Sequence, residues 1–128
     1  MEKEYLVPYV DDNLINIGLV RQTLLLRKDV RFIYALTAIS SNELAWSLLP
    51  DLILMDIQLP GMSGIEAMHK LKDNENTKNI PIVAMSANSL KRGARAGVAA
   101  GFDDHISKPF IIPRFLAKMD YFFKKPIK

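Results

Sequence analysis

The chain contains no cysteine, which excludes disulfide staples, thiolate nucleophiles and cysteine-ligated metal centres but says little about compartment by itself. It also lacks any run of about 18 apolar residues that could span a bilayer, and its N-terminus has none of the charged-then-apolar build of a signal peptide. A cytoplasmic location with no membrane partner is therefore expected. The 128 residues suffice for one core and are too few for two, so residues 1–128 are expected to form a single domain. No repeat, linker or low-complexity segment interrupts them.

What is present is an alternation. Tyr5 to Val10, Arg31 to Thr37, Asp51 to Asp56, Pro81 to Ser86 and Asp103 to Ser107 read as strands, being short, apolar or β-branched and bounded by breakers. Leu14 to Arg27, Asn42 to Leu49, Gly64 to Asp73, Ser89 to Ala100 and Ile112 to Phe123 read as helices; in the last, Ile112, Phe115, Leu116, Met119, Phe122 and Phe123 share a face at 3.6-residue spacing. This (βα)5 order predicts an α/β fold with a doubly wound parallel sheet.

In such a sheet the carboxyl ends of the strands open onto one crevice. Asp11 and Asp12 follow the first strand, Asp56 closes the third, Ser86 closes the fourth and Lys108 follows the fifth. Taken singly, Asp11 and Asp12 read first as helix caps, Ser86 as a strand-end hydroxyl and Lys108 as a surface lysine, and only the constellation lifts them. Asp56 resists such a reading, because a carboxylate ending the buried run Leu52-Ile53-Leu54-Met55 is costly without a partner. Three gathered carboxylates repel one another, and one divalent ion together with Lys108 would neutralise them. Mg²⁺ fits an all-oxygen site where carboxylates meet a phosphate, so phosphoryl transfer is the expected chemistry.

These residues, with the Pro60-Gly61 and Gly64 loop, the Ser86-Ala87 step and Lys108-Pro109, resemble the receiver domain of bacterial two-component response regulators from about Glu4 to about Phe123. The resemblance implies the flavodoxin-like strand order 2-1-3-4-5 and a phosphorylation-dependent signalling switch, not an enzyme acting on a separate substrate. It implies that Asp56 is the phosphoacceptor, taking its phosphoryl group from a phosphohistidine on a histidine kinase or phosphotransfer protein. Asp12, Asp56 and the backbone carbonyl of Gln58 would hold Mg²⁺, with Asp11 acting through a coordinated water. Lys108 would pair with the phosphoryl oxygens, and Ser86 would donate its hydroxyl to them and draw in the following loop. His105 stands where the family usually carries Tyr or Phe, so it is either a switch residue that turns inward with Ser86 or a surface histidine.

Some features depart from that family. Pro8 lies inside a strand with neighbours on both sides, where it removes a ladder donor. The second helix looks short, ending at Pro50, and Gly93 and Gly97 each weaken the helix expected over Ser89 to Ala100 by about 1 kcal/mol relative to alanine. Pro8, the short second helix and His105 leave a second reading open, a degenerate receiver serving as a constitutive interaction scaffold. Haloacid dehalogenase-type phosphatases would resemble Asp-x-Asp, whereas position 58 is Gln; flavodoxins would need a Ser/Thr/Gly-rich loop after the first strand. Residues 89–128 hold nine basic and three acidic side chains, a net of +6 within a total of +3. Lacking a nucleic-acid recognition motif, that basic face is read as a solvated face or a docking surface for an acidic downstream protein partner. Asn13 and Asn16 resemble receivers attached to hybrid kinases, so a stand-alone regulator and a domain of a larger protein both stay open.

Overall fold

The computed structural model describes residues 4–86 and 101–123. Its elements are β1 (Tyr5–Val10), α1 (Leu14–Leu24), β2 (Val30–Ala35), α2 (Ala38–Leu48), β3 (Ile53–Asp56), α3 (Gly64–Lys72), β4 (Ile82–Ser86), β5 (Asp104–Ser107) and, last, α4 (Ile112–Phe123). The helix expected over Ser89 to Ala100 lies outside the described residues. All five strands are parallel, in the order β2-β1-β3-β4-β5, the doubly wound, flavodoxin-like topology that the sequence implies.

Strand side chains alternate between faces, and here both faces are buried. Leu52, Leu54, Val83 and Met85 pack with Ile17, Val20 and Leu24 of α1 and Phe115, Met119 and Phe123 of α4. Ile53, Met55, Ile82 and Ala84 pack on the other side with Ala38 and Ala45 of α2 and Ala67, Met68 and Leu71 of α3. The apolar face of α4 is narrower than its sequence predicts: Leu116 and Phe122 are only partly buried, and Ile112 is exposed. Its end is anchored by the Tyr5 ring, stacked 4.1 Å from Phe123. Arg27 adds a clamp, pairing with Asp29 and with Asp120.

Several boundaries shift for local reasons. Thr37 caps a helix instead of ending β2, its hydroxyl accepting the Ser40 N–H, so α2 begins at Ala38, four positions before Asn42, and is not short. Its left-handed Leu49 precedes Pro50, which cannot continue a helix. Asp51 is not in β3; its carboxylate accepts the Leu6 N–H at 2.8 Å while its own N–H donates to Leu6 O. Pro8 is accommodated by the same arrangement. Backbone groups of alternate strand residues face the same neighbour, so Pro8, like Leu6, faces β3. There the ladder involves only Tyr9 and Val10 of β1, whereas pairing with β2 runs the whole strand. The missing donor therefore falls just below the paired segment.

Candidate functional site

Register brings the candidate residues to one end of the sheet. Val10 is level with Met55, Asp56 with Met85 and Ser86 with Ser107. Asp11 extends β1 by one bond, its N–H reaching Ala35 O at 3.2 Å, and the Lys108 N–H reaches Ser86 O at 2.8 Å. The three acids converge: one carboxylate oxygen each from Asp11, Asp12 and Asp56 lie within 4.8 Å of one another. Asp11 and Asp56 are buried and Asp12 is exposed.

Neither Asp11 nor Asp12 is the cap of α1. That role falls to Asn13, whose Oδ1 accepts the N–H groups of Ile15 and Asn16, which leaves both acids available to the crevice. Lys108 Nζ bridges the two buried carboxylates, 3.1 Å from Asp11 Oδ2 and 3.2 Å from Asp56 Oδ2. Asp56 Oδ1 accepts the Gln58 N–H at 2.9 Å, a turn that sets the start of the β3–α3 loop. That loop passes close over the strand end, because a Cβ on Gly64 would lie 2.4 Å from Asp56 O. Ser86 is buried at the end of β4.

Sequence reasoning missed two residues that shape this cleft. The Tyr9 hydroxyl donates to Asp11 Oδ2 at 2.5 Å, and Asn16 Nδ2 donates to the same oxygen at 3.2 Å. Spacing permits these contacts, since residues 9 and 11 lie on one face of an extended chain and residue 16 faces back from the first turn of α1, but it does not single the two residues out. The acids are affected in opposite directions. Burial alone would raise Asp11, but the Tyr9 hydroxyl, the Asn13 N–H and Lys108 outweigh it and hold its carboxyl below the usual range. Burial pushes Asp56 up, aided by the Asp11 charge and resisted by the Gln58 N–H and Lys108. Burial and the bond to Asp11 push the Tyr9 hydroxyl far up, keeping it a proton donor.

His105 is buried at 9 % exposure, not a surface residue, and its Nε2 has no hydrogen-bond partner among the described residues. Burial lowers its pKa, with Asp104 opposing and Lys118 reinforcing the shift. Of the basic residues in the last third, Lys108 serves the cleft, Lys118 pairs with Asp104 at 2.8 Å, and Arg114 lines a 240 Å³ cavity with His105, Phe110 and Phe115. Lys91, Arg92, Arg95, Lys124, Lys125 and Lys128 lie outside the described residues.

A parallel α/β sheet whose strand ends carry three clustered carboxylates, a lysine and a hydroxyl forms an acidic cleft of the doubly wound class. The response regulator receiver domain family matches residues 7–120, and the chain belongs to that family. It is similar to the polar-differentiation response regulator DivK of Brucella ovis, 38% identical over 110 residues that cover 86% of this chain and 89% of that protein. Among solved structures it is similar to the receiver domain of sensor histidine kinase PA1611 from Pseudomonas aeruginosa PAO1, which has a magnesium ion coordinated in its active site cleft. That match has a TM-score of 0.86 and 27% identity, covering 94% of this chain and 98% of the other. The chemotaxis response regulator CheY4 of Vibrio cholerae shares the fold, with a TM-score of 0.84 at 22% identity over 94% of this chain and 99% of that one.

Proposed function

We propose that this receiver is a phosphorylation-dependent switch in which Asp56 accepts a phosphoryl group from a phosphohistidine. The observation that carries the reading is the Lys108 ammonium shared between Asp11 and Asp56 beside the exposed Asp12 carboxylate. The cluster suits Mg²⁺, a hard cation that takes oxygen ligands and accepts one or two carboxylates with water. Asp12, Asp56 and the Gln58 carbonyl would hold it, with Asp11 reaching it through water. Bound there, the ion would keep Asp56 ionised and neutralise charge on the phosphoryl oxygens.

The chain's own groups do the rest. An Asp56 oxygen attacks phosphorus, the P–N bond breaks with its electron pair passing to the donor imidazole, and a mixed anhydride forms on Asp56. The Gln58 N–H fixes the other Asp56 oxygen, and Lys108 is within a short reorientation of the arriving phosphoryl group. No general base is needed, because the nucleophile is already a carboxylate. Ser86, at the adjoining strand end, would donate its hydroxyl to the phosphoryl group and pull the loop after it, with His105 turning as that loop moves. The same site would govern dephosphorylation, with no separate substrate.

The donor would be a histidine kinase or phosphotransfer protein, received beside Lys108 where a cavity of about 410 Å³ opens between α1 and α4, lined by Asn16, Leu19, Phe110 and Ile112. The downstream partner would be a protein met by the basic last third, residues 89–128. Incubation with a small phosphodonor and Mg²⁺, followed by intact-mass spectrometry, tests the reading. The wild type should gain one phosphoryl group and Asp56→Asn none. Equal labelling of the two would remove Asp56 as acceptor.

A further inference from the structure

One oxygen of the Asp11 carboxylate is crowded by protein donors. Its Oδ2 accepts from Tyr9 Oη at 2.5 Å, Lys108 Nζ at 3.1 Å and Asn16 Nδ2 at 3.2 Å, and its Oδ1 accepts from the Asn13 N–H at 3.0 Å. A carboxylate has about four lone-pair sites, two on each oxygen, so Oδ2 is crowded by three donors while Oδ1 keeps one site for a metal-bound water. Lys108 is shared with Asp56, and the Asn13 N–H belongs to the turn into α1. Tyr9 and Asn16 are the neutral side chains that bond Asp11, and Tyr9 makes the shortest of the four bonds. Its ring is fully buried among Tyr5, Val7, Leu54 and Met85, so the hydroxyl is presented to Asp11 by a packed core.

We infer that Tyr9 sets how tightly the acidic cluster holds Mg²⁺, and sets it low. Its hydroxyl draws charge from Asp11 and is one of three donors crowding Oδ2, which lowers what the carboxylate can offer the ion's hydration shell. It acts through Asp11 and touches neither the ion nor the phosphoryl group, which makes it a positioning residue. The inference rests on the reading of Asp11, Asp12 and Asp56 as a Mg²⁺ site. Removing the hydroxyl should not set Asp11 adrift, because three donors and the bond from the Asp11 N–H to Ala35 O still hold it. The freed charge then faces the cation.

The test is a Mg²⁺ titration of the full chain, followed through the backbone amide shifts of Asn13 and Gln58, for wild type and Tyr9→Phe. The variant should bind Mg²⁺ about three- to tenfold more tightly, a change within the net worth of one ordinary hydrogen bond. A role confined to packing would leave the affinity unchanged or weaken it as the site loosens, and either result overturns the inference. The wild-type curve separates the two levels of failure. A saturable wild-type response that Tyr9→Phe does not sharpen rejects the role of Tyr9 alone, whereas no saturable wild-type response rejects the Mg²⁺ site as well. Should Tyr9→Phe fail to fold, Asn16→Ala removes the other neutral donor to the same oxygen from a half-exposed position. It must then tighten Mg²⁺ in the same direction, and failure to do so overturns the inference.

Discussion

Lys108 is asked to satisfy two buried carboxylates with one ammonium, and the shortfall falls on Asp56. The folded state raises the Asp56 pKa, chiefly through burial and against the pull of the Gln58 N–H and Lys108. A raised carboxyl binds its proton more readily when folded than when unfolded, so ionising it at neutral pH subtracts from stability. Asp56→Asn removes that charge and keeps the shape. In a chelator at neutral pH the variant should melt above the wild type, and millimolar Mg²⁺ should stabilise the wild type far more than the variant. Thermal melts with and without Mg²⁺ check both parts, and a variant that melts lower without metal would show that the acidic repulsion is already relieved. Asp56 could be picked out from sequence because a carboxylate at the end of a buried strand demands an explanation, and Asp11 and Asp12 could be added because all three fall at strand ends of one sheet. Tyr9 and Asn16 could not, since a tyrosine in an apolar strand and an asparagine in a helix's first turn both have ordinary structural readings. Their role exists only once the sheet end brings them to Asp11.

The same limits apply to whole elements. Strand and helix order was legible because short apolar runs separated by helical spacing admit few other folds, but the ends of α2 and β3 were not. Thr37 and Asp51 look like strand residues by neighbourhood, and only their hydrogen bonds to Ser40 N and Leu6 N reveal them as caps. With α2 at full length and Pro8 lying below the β1–β3 ladder, two of the features that favoured a degenerate scaffold no longer weigh for it. The β3–α3 connection is a stricter element than it looks. Gly64 begins α3 against the end of β3, where an added Cβ would sit 2.4 Å from Asp56 O and 2.9 Å from Ile57 Cα, both backbone atoms that cannot swing aside. Gly64→Ala should therefore displace the loop and cost about 1–3 kcal/mol, the usual range for overpacking. Because that loop begins at Asp56 and Gln58, phosphorylation should slow as well. Urea melts together with the labelling assay check this, and an alanine variant as stable and as readily labelled as wild type would mean that the loop moves without consequence.

At the scale of the whole molecule, the sheet has core on both faces, so a polar group placed within it is felt as global stability. His105 is such a group, on the edge strand β5, nine-tenths buried and with Nε2 unpartnered among the described residues. Burial lowers its pKa, Lys118 lowers it further, and the neighbouring Asp104 does not compensate. The unfolded chain takes up the proton near the ordinary value of about 6.5, before the folded chain does. Between the two pKa values the unfolded state binds more protons, so stability rises with pH through that window and levels off above about 6.5. Asp56, with its raised pKa, pulls the other way, and comparison in the Asp56→Asn background isolates the histidine. His105→Phe removes both the titration and the unpaired ring nitrogen. It should be more stable than its parent by about 1 kcal/mol at pH 8, where only the unsatisfied nitrogen counts, and by a larger margin at pH 5, where the parent must also hold its histidine uncharged. Denaturant midpoints across that pH range measure the margin directly. A constant margin would show that His105 protonates as freely in the folded protein as in the unfolded chain, which would require β5 to open to water at little cost.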